Sequence, residues 1–191
     1  NTIIKITRNK NISIYYSTGH DEIFLNRKDG NGGDFFKNQL KEAYFDIKET
    51  NLNQIKSLQA SNSILMIWGP KLDFSENELK IVDRFLQEGG NLLLGVDPDF
   101  FNPRLANLRS YISDRWGIKI LNNIVIDKKS YVQGSKGTVP LIKNLKINHP
   151  ITREFTGQIF FPLVSSITFN GNKNAVFNPL VFTNEYPYSW A

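Results

Sequence analysis

Residues 64–98 read ILMIWGPKLDFSENELKIVDRFLQEGGNLLLGVDP, and this stretch decides the fold class. Residues 64–68 form a short apolar run closed by Gly69 and Pro70, the pattern of a buried strand. Ser75 followed by Glu78 predicts a capping box, in which each side chain satisfies an orphan amide at a helix start. Leu79, Val82, Phe85 and Leu86 then line one helical face. Gly89-Gly90 predicts the helix end, with one glycine in the left-handed cap conformation. Residues 91–96 are a second, nearly unbroken apolar run, expected to be a strand covered on both faces. Strand, capped helix and strand make a βαβ unit, and its strands are expected to pair in parallel. Ligands of open α/β sheets sit beyond the carboxyl ends of such strands. Gly69-Pro70-Lys71 and Asp97-Pro98-Asp99 stand there, with no nucleophilic Cys or Ser and no glycine-rich phosphate loop.

Outward from this unit, residues 12–17 (ISIYYS) predict the first central strand, ended by Thr18-Gly19-His20-Asp21-Glu22. Residues 26–33 (NRKDGNGG) predict a flexible surface loop. Phe36, Leu40 and Ala43 share one helical face. Residues 44–48 are expected to form the second strand, and residues 53–58 a short helix or turn. Leu105, Leu108, Ile112 and Trp116 predict a helix over residues 103–116, with Pro103 in its first turn. After Gly117 the texture changes to short β-like runs at residues 118–121, 124–126, 159–161, 165–169 and 180–183. They are separated by Asn, Gly, Pro and Lys clusters. The expected fold is α/β: a flavodoxin-like or class I glutamine-amidotransferase-like parallel sheet flanked by helices. Residues 1–126 would be its core, and residues 127–191 a β-rich C-terminal extension packed on that core within one domain.

The 191 residues are 40% hydrophobic and include 14 Phe and 7 Tyr, enough for a sizeable core. No stretch approaches about 18 consecutive apolar residues, so no membrane-spanning helix is expected. Asn1 opens directly onto Thr-Ile-Ile-Lys without a signal peptide, so a soluble fragment of a larger protein is expected. The net charge of +5 comes from 23 Lys and Arg against 18 Asp and Glu. The excess is scattered, whereas nucleic-acid surfaces cluster basic residues on one face. A nucleic-acid partner is not expected. A solvated surface is the leading reading of the charge, with weak attraction to anionic lipid headgroups as the alternative. The chain has no Cys and 2 His. Disulfides and thiolate chemistry are excluded, and neither a metal nor a cofactor is expected.

Three clusters are candidate sites. Gly19-His20-Asp21-Glu22 lies at the expected carboxyl end of the first strand. Its imidazole and carboxylates suit a ligand or cation, or simply bond the loop's own backbone. Asp97, in Asp97-Pro98-Asp99, is either ligand-facing or loop-fixing, and it offers no nucleophile of the type acyl transfer needs with a base beside it. In Asn148-His149-Pro150-Ile151-Thr152, the residue before proline is held extended, and the His149 ring suits a cap on the following turn. The aromatic run Tyr186-Pro187-Tyr188-Ser189-Trp190 suits either a binding stripe or strand packing. The ligand-binding set expected at the strand ends is His20, Glu22, Trp68 and Asp97. No catalytic and no metal residues are assigned.

Taken in order, several motifs resemble the auxiliary, membrane-tethered component of certain bacterial ABC transport systems, the family that includes the gliding-motility protein GldG. They begin with Ile3-Ile4-Lys5, Thr7-Arg8 and Tyr16-Ser17-Thr18-Gly19-His20-Asp21-Glu22. Trp68-Gly69-Pro70-Lys71-Leu72-Asp73-Phe74-Ser75 follows, and then Leu86-Gln87-Glu88-Gly89-Gly90-Asn91 with Leu92-Leu93-Leu94 and Asp97-Pro98. Trp116-Gly117-Ile118, Val125-Ile126-Asp127, His149-Pro150-Ile151-Thr152 and Ser189-Trp190 complete the series. One departure is Asp21, where the family pattern GHGE has glycine. The resemblance implies an amidotransferase-like domain without amidotransferase chemistry. It would lie on the periplasmic, extracytoplasmic side of the cytoplasmic membrane, tethered by transmembrane helices outside this chain. Its implied partners are the permease and ATPase subunits of the same system.

Three functions compete at this point. The leading one is a non-enzymatic protein-interaction domain of an ABC transport system. The second is a small-molecule or glycan-binding module around His20, Trp68 and Asp97, which requires a concave cavity at the strand ends. The third is a hydrolase using His20, Glu22 and Asp97, which requires all three within reach of one substrate position.

Overall fold

A computed structural model describes residues 12–29, 32–99, 104–172 and 175–191. The motif at residues 3–8, and Pro103 with its expected place in a helical first turn, lie outside these. The described residues divide into two compact units, those up to 96 with 104–108, and 97–99 with those from 109 onward.

The first unit runs β1 (Ser13–Thr18), α1 (Asp34–Glu42), β2 (Asp46–Asn51), a 3-10 turn at Leu52–Gln54, β3 (Ser63–Trp68), α2 (Glu76–Gln87) and β4 (Asn91–Gly95). It is an α/β unit whose strands form one sheet in the order β2-β1-β3-β4. Every pairing is parallel: Ile14 lies opposite Ile47 and Ile64, and Trp68 opposite Gly95. From the central β1 the chain steps outward to β2, then crosses back to β3 on the other side. That reversal places a crevice beyond the carboxyl ends of β1 and β3.

The period of two along each strand sorts side chains between two faces. On one face Ile14, Tyr16, Leu25 and Met66 are buried together, with Phe36 and Leu40 of α1 packed against them. On the other, Tyr15 meets Phe85 of α2 edge-on, with ring centroids 6.3 Å apart. The two helices therefore cover opposite faces. β3 sits between two neighbours, and its Leu65, Met66 and Ile67 are all buried. β4 departs from the expected double covering, since Leu93 is 51% exposed. β4 ends the sheet order, and helices centred on a sheet leave the outer residues of an edge strand to solvent.

α2 is closed at both ends as its sequence predicts. Ser75 Oγ accepts from Glu78 N, and Glu78 Oε2 accepts from Ser75 N at 2.9 Å. At the other end Gly90 N donates to Phe85 O at 2.9 Å and Gly89 N to Leu86 O at 3.1 Å, a Schellman closure with Gly89 at φ 92°. The adjacent glycines are needed for different reasons. A Cβ on Gly89 would meet nothing within 4 Å, so Gly89→Ala carries only left-handed strain, about 1 kcal/mol. A Cβ on Gly90 would lie 2.4 Å from the ring of buried Phe85. Gly90→Ala is therefore expected to cost about 2–3 kcal/mol through overpacking. Urea-unfolding free energies of the two variants check this, and the reverse ranking would contradict it.

The first unit closes with the start of α3 (Ala106–Trp116). The second unit contains β5 (Ile118–Ile120), β6 (Ile126–Asp127), β7 (Leu141–Ile142), β8 (Asn144–Leu145), β9 (Ile159–Phe160), β10 (Ile167–Phe169), β11 (Val181–Phe182) and β12 (Ser189–Trp190). They pair antiparallel as β5 with β10, β6 with β12, β7 with β9 and β8 with β11. The five β-like runs expected after Gly117 each overlap one of these strands. Their partners lie far along the chain.

Candidate functional site

The crevice beyond β1 and β3 is where a ligand would be sought, and the chain's own loops fill it. Gly19 turns the chain out of β1 with φ 108°, and a Cβ there would come within 2.9 Å of the Asn51 side chain. Asp21 follows at φ 54°. This is the left-handed region that glycine favours and that Asp tolerates better than most residues. The loop is then bonded across to the end of β3. His20 O accepts from Lys71 N at 2.7 Å and Leu72 N at 3.1 Å, and Trp68 O accepts from Ile23 N at 3.1 Å.

The His20 side chain is 3% exposed. Its ring stacks on Phe74 with centroids 3.8 Å apart and planes 16° from parallel. Nε2 lies 3.1 Å from Glu78 Oε1, and Nδ1 lies 3.5 Å from Glu22 Oε1. His20 Nδ1 and Glu78 Oε1 have no well-aligned hydrogen-bond partner, so the ring is held by close contact with the carboxylates and by stacking. Glu22 is held independently: its Oε1 accepts from Ser17 Oγ at 2.6 Å and its Oε2 from His20 N at 2.8 Å. Burial works against a charged ring, but Glu22 and Glu78 outweigh it and raise the His20 pKa above 6.5. Burial likewise opposes ionisation of Glu22, yet His20, Ser17 and the backbone amides hold its pKa below 4.5. The ring is thus buried between two carboxylates that favour its protonated form. A general base must come within hydrogen-bond reach of substrate, and this ring is buried against Phe74 and the two carboxylates.

The structure brings His20 and Glu22 together and adds Glu78, which the sequence reading had assigned only to the capping box. One carboxylate oxygen closes the helix end while the other faces the imidazole. The signal was present in a capping Glu that has two oxygens and stands at the end of the neighbouring strand. Asp73 was also missed. Its carboxylate accepts from Asn107 N at 2.7 Å and Leu108 N at 3.2 Å, capping α3 from a distant loop. Within Asp73-Phe74-Ser75, the first residue caps α3, the second carries the His20 ring and the third caps α2. Trp68 packs into the α1 face, edge-on to Phe36 at 5.2 Å between centroids. Asp97 belongs to the second unit, where Arg109 Nη2 lies 3.5 Å from its backbone carbonyl.

The second unit has its own polar centre at Asp127, which is 1% exposed. Oδ1 accepts from Ser130 N at 2.8 Å and Lys129 N at 2.9 Å, and Oδ2 from Asn184 N at 3.0 Å and Asn184 Nδ2 at 2.8 Å. Burial opposes its charge, but these donors prevail and depress the carboxyl pKa below 3.8. His149 Nδ1 accepts from Ile151 N at 3.3 Å, and Thr152 Oγ1 donates to Lys146 O. Beside them lies an open groove of about 600 Å³, lined among others by Ile142, Lys143, Ile147, Thr152 and Phe155. Among the described residues no group of three or more His, Cys, Asp or Glu is arranged to hold a metal. Among them, too, no helix is long and apolar enough to cross a membrane.

These features define an α/β domain whose strand-end crevice is closed by its own side chains. The chain belongs to the family described as an ABC-type uncharacterized transport system, whose model matches residues 11–191. Its members are auxiliary components of ABC transport systems. No curated protein matches the chain. Among solved structures, it is similar to one titled "mmIFT52 N-terminal domain", with a TM-score of 0.62 at 17% identity, covering 88% of this chain and 72% of that one. At that identity the likeness concerns the fold alone.

Proposed function

We propose that this chain is a non-enzymatic, extracytoplasmic protein-interaction domain of a GldG-like ABC transport component, anchored in the cytoplasmic membrane as part of a longer protein. Its partners are the permease and ATPase subunits of the same system. The strand order is read as the first four positions of the flavodoxin-like order 2-1-3-4-5. The observation that carries the proposal is the filled crevice. At the position where such sheets bind ligands, His20 lies buried between Glu22 and Glu78 and stacked on Phe74. In this reading His20 and Glu22 pin two loops together, and Trp68 is a core residue. The test is affinity purification of the full-length protein from cross-linked membranes. Recovery of a permease or ATPase subunit is expected, and recovery of neither would overturn the proposal.

A further inference from the structure

The second unit carries an exposed aromatic and basic face that plays no part in the strand-end site. Tyr188 N and Ser189 N both donate to Glu185 O, at 2.9 and 3.2 Å, closing a turn that buries Ser189. The aromatic residues around it stay outside: Tyr186 is 84% exposed, Tyr188 51% and Trp190 45%. Lys128 N donates to Tyr188 O at 2.8 Å, which brings residues 127–137 alongside the turn. Lys129 Nζ lies 4.8 Å from the centre of the Tyr188 ring, and Lys128 Nζ donates to Lys136 O at 2.7 Å. Tyr131 and Val132 are exposed on the same segment. The carboxylates of these two stretches are Asp127 and Glu185. Asp127 is buried beneath its amide donors, which leaves three lysines against the exposed Glu185.

This combination discriminates between partners. Protein interfaces are enriched in Tyr and Trp but depleted in Lys, whereas here a lysine stands over the central tyrosine. Tyr and Trp rings settle at the level of lipid headgroups, and lysines beside them are drawn to anionic phosphates. We propose that this face docks on an anionic phospholipid bilayer, with Tyr186, Tyr188 and Trp190 at headgroup depth and Lys128, Lys129 and Lys136 against the phosphates.

Co-sedimentation of the chain with phosphatidylcholine vesicles, with and without phosphatidylglycerol, tests this. Binding is expected only to the mixed vesicles, weakening as salt is added. One lysine near such a surface is worth about fivefold in partitioning. The triple variant Lys128→Gln, Lys129→Gln, Lys136→Gln should therefore lose at least about tenfold after screening. Lys143→Gln with Lys146→Gln should lose less than the triple variant. A brominated lipid should quench Trp190 fluorescence, and Trp190→Phe should abolish that part of the quenching. Circular dichroism verifies that each variant is folded. No binding, equal binding to both vesicles, or undiminished binding by the triple variant would overturn the proposal.

Discussion

His20→Ala is expected to lower the stability of the first unit by about 3–5 kcal/mol, the cost of breaking a buried ion pair from one side. The ring lies 3.1 Å from Glu78 Oε1 and 3.5 Å from Glu22 Oε1, with almost no access to water. Removing it leaves two buried carboxylates facing a cavity above Phe74. Glu78→Gln in the His20→Ala background should recover part of the loss, because Glu78 Oε1 has no hydrogen-bond partner and faces only the lost ring. Glu22, by contrast, keeps its Ser17 and backbone donors. A double-mutant cycle is expected to give a coupling of about 1–3 kcal/mol. Urea unfolding at about pH 5.5, where the contribution of His20 is fully present, measures His20→Ala, Glu78→Gln and the double variant. A His20→Ala cost below about 1 kcal/mol would mean that the cluster does not hold the loops, since exposed substitutions reach that range.

The pH dependence of the same cluster follows from the two opposite shifts. The folded pKa of His20 lies above 6.5, so its contribution is fully present below 6.5 and is lost as pH rises through the raised folded value. The folded pKa of Glu22 lies below 4.5, so its contribution is present above 4.5 and is lost as pH falls through the depressed value. The pair therefore stabilises most between pH 4.5 and 6.5. His20→Ala should flatten the alkaline limb of the stability profile, and Glu22→Gln the acid limb.

Much of the first unit was legible because its signals are local. The capping box at Ser75 and Glu78, the helical face of α2 and the Gly89-Gly90 stop all lie within one contiguous stretch and fold as read. What failed there was the covering of β4, because an edge position is set by the order of the whole sheet and not by the apolar run itself. In the site, His20 and Glu22 were visible as neighbours, but Glu78 and Phe74 reach them only through the parallel pairing of β1 with β3. Strands of the second unit were legible in position and not in partnership. Ser189 pairs with Asp127 and Ile167 with Ile120 across long separations, and runs of two or three residues carry too little pattern to name a partner.

Asp127 shows what such short strands require, and Asp127→Ala is expected to destabilise the second unit by about 3–4 kcal/mol. Two-residue strands contribute few ladder bonds, so β6 and β12 need another means of alignment. The carboxylate supplies it by collecting the amides of Lys129, Ser130 and Asn184 on one side chain, beside the pairing of Asp127 with Ser189. Alanine leaves three amides without this acceptor, that of Ser130 buried and those of Lys129 and Asn184 partly buried. Asp127→Asn keeps the shape but turns a charge-free NH2 toward donors, and should cost about 2 kcal/mol. Asn184→Ala keeps its backbone donor and should cost about 1 kcal/mol. The folded pKa of Asp127 lies below 3.8, so its contribution is present above 3.8 and fades as pH falls through the depressed value. The penalty of Asp127→Asn should shrink accordingly in acid. Hydrogen exchange at the amides of Lys129, Ser130 and Asn184 reads the effect within the unit itself. If those amides stay as protected in Asp127→Ala as in the parent, they have another acceptor, and the carboxylate is not what aligns the two strands.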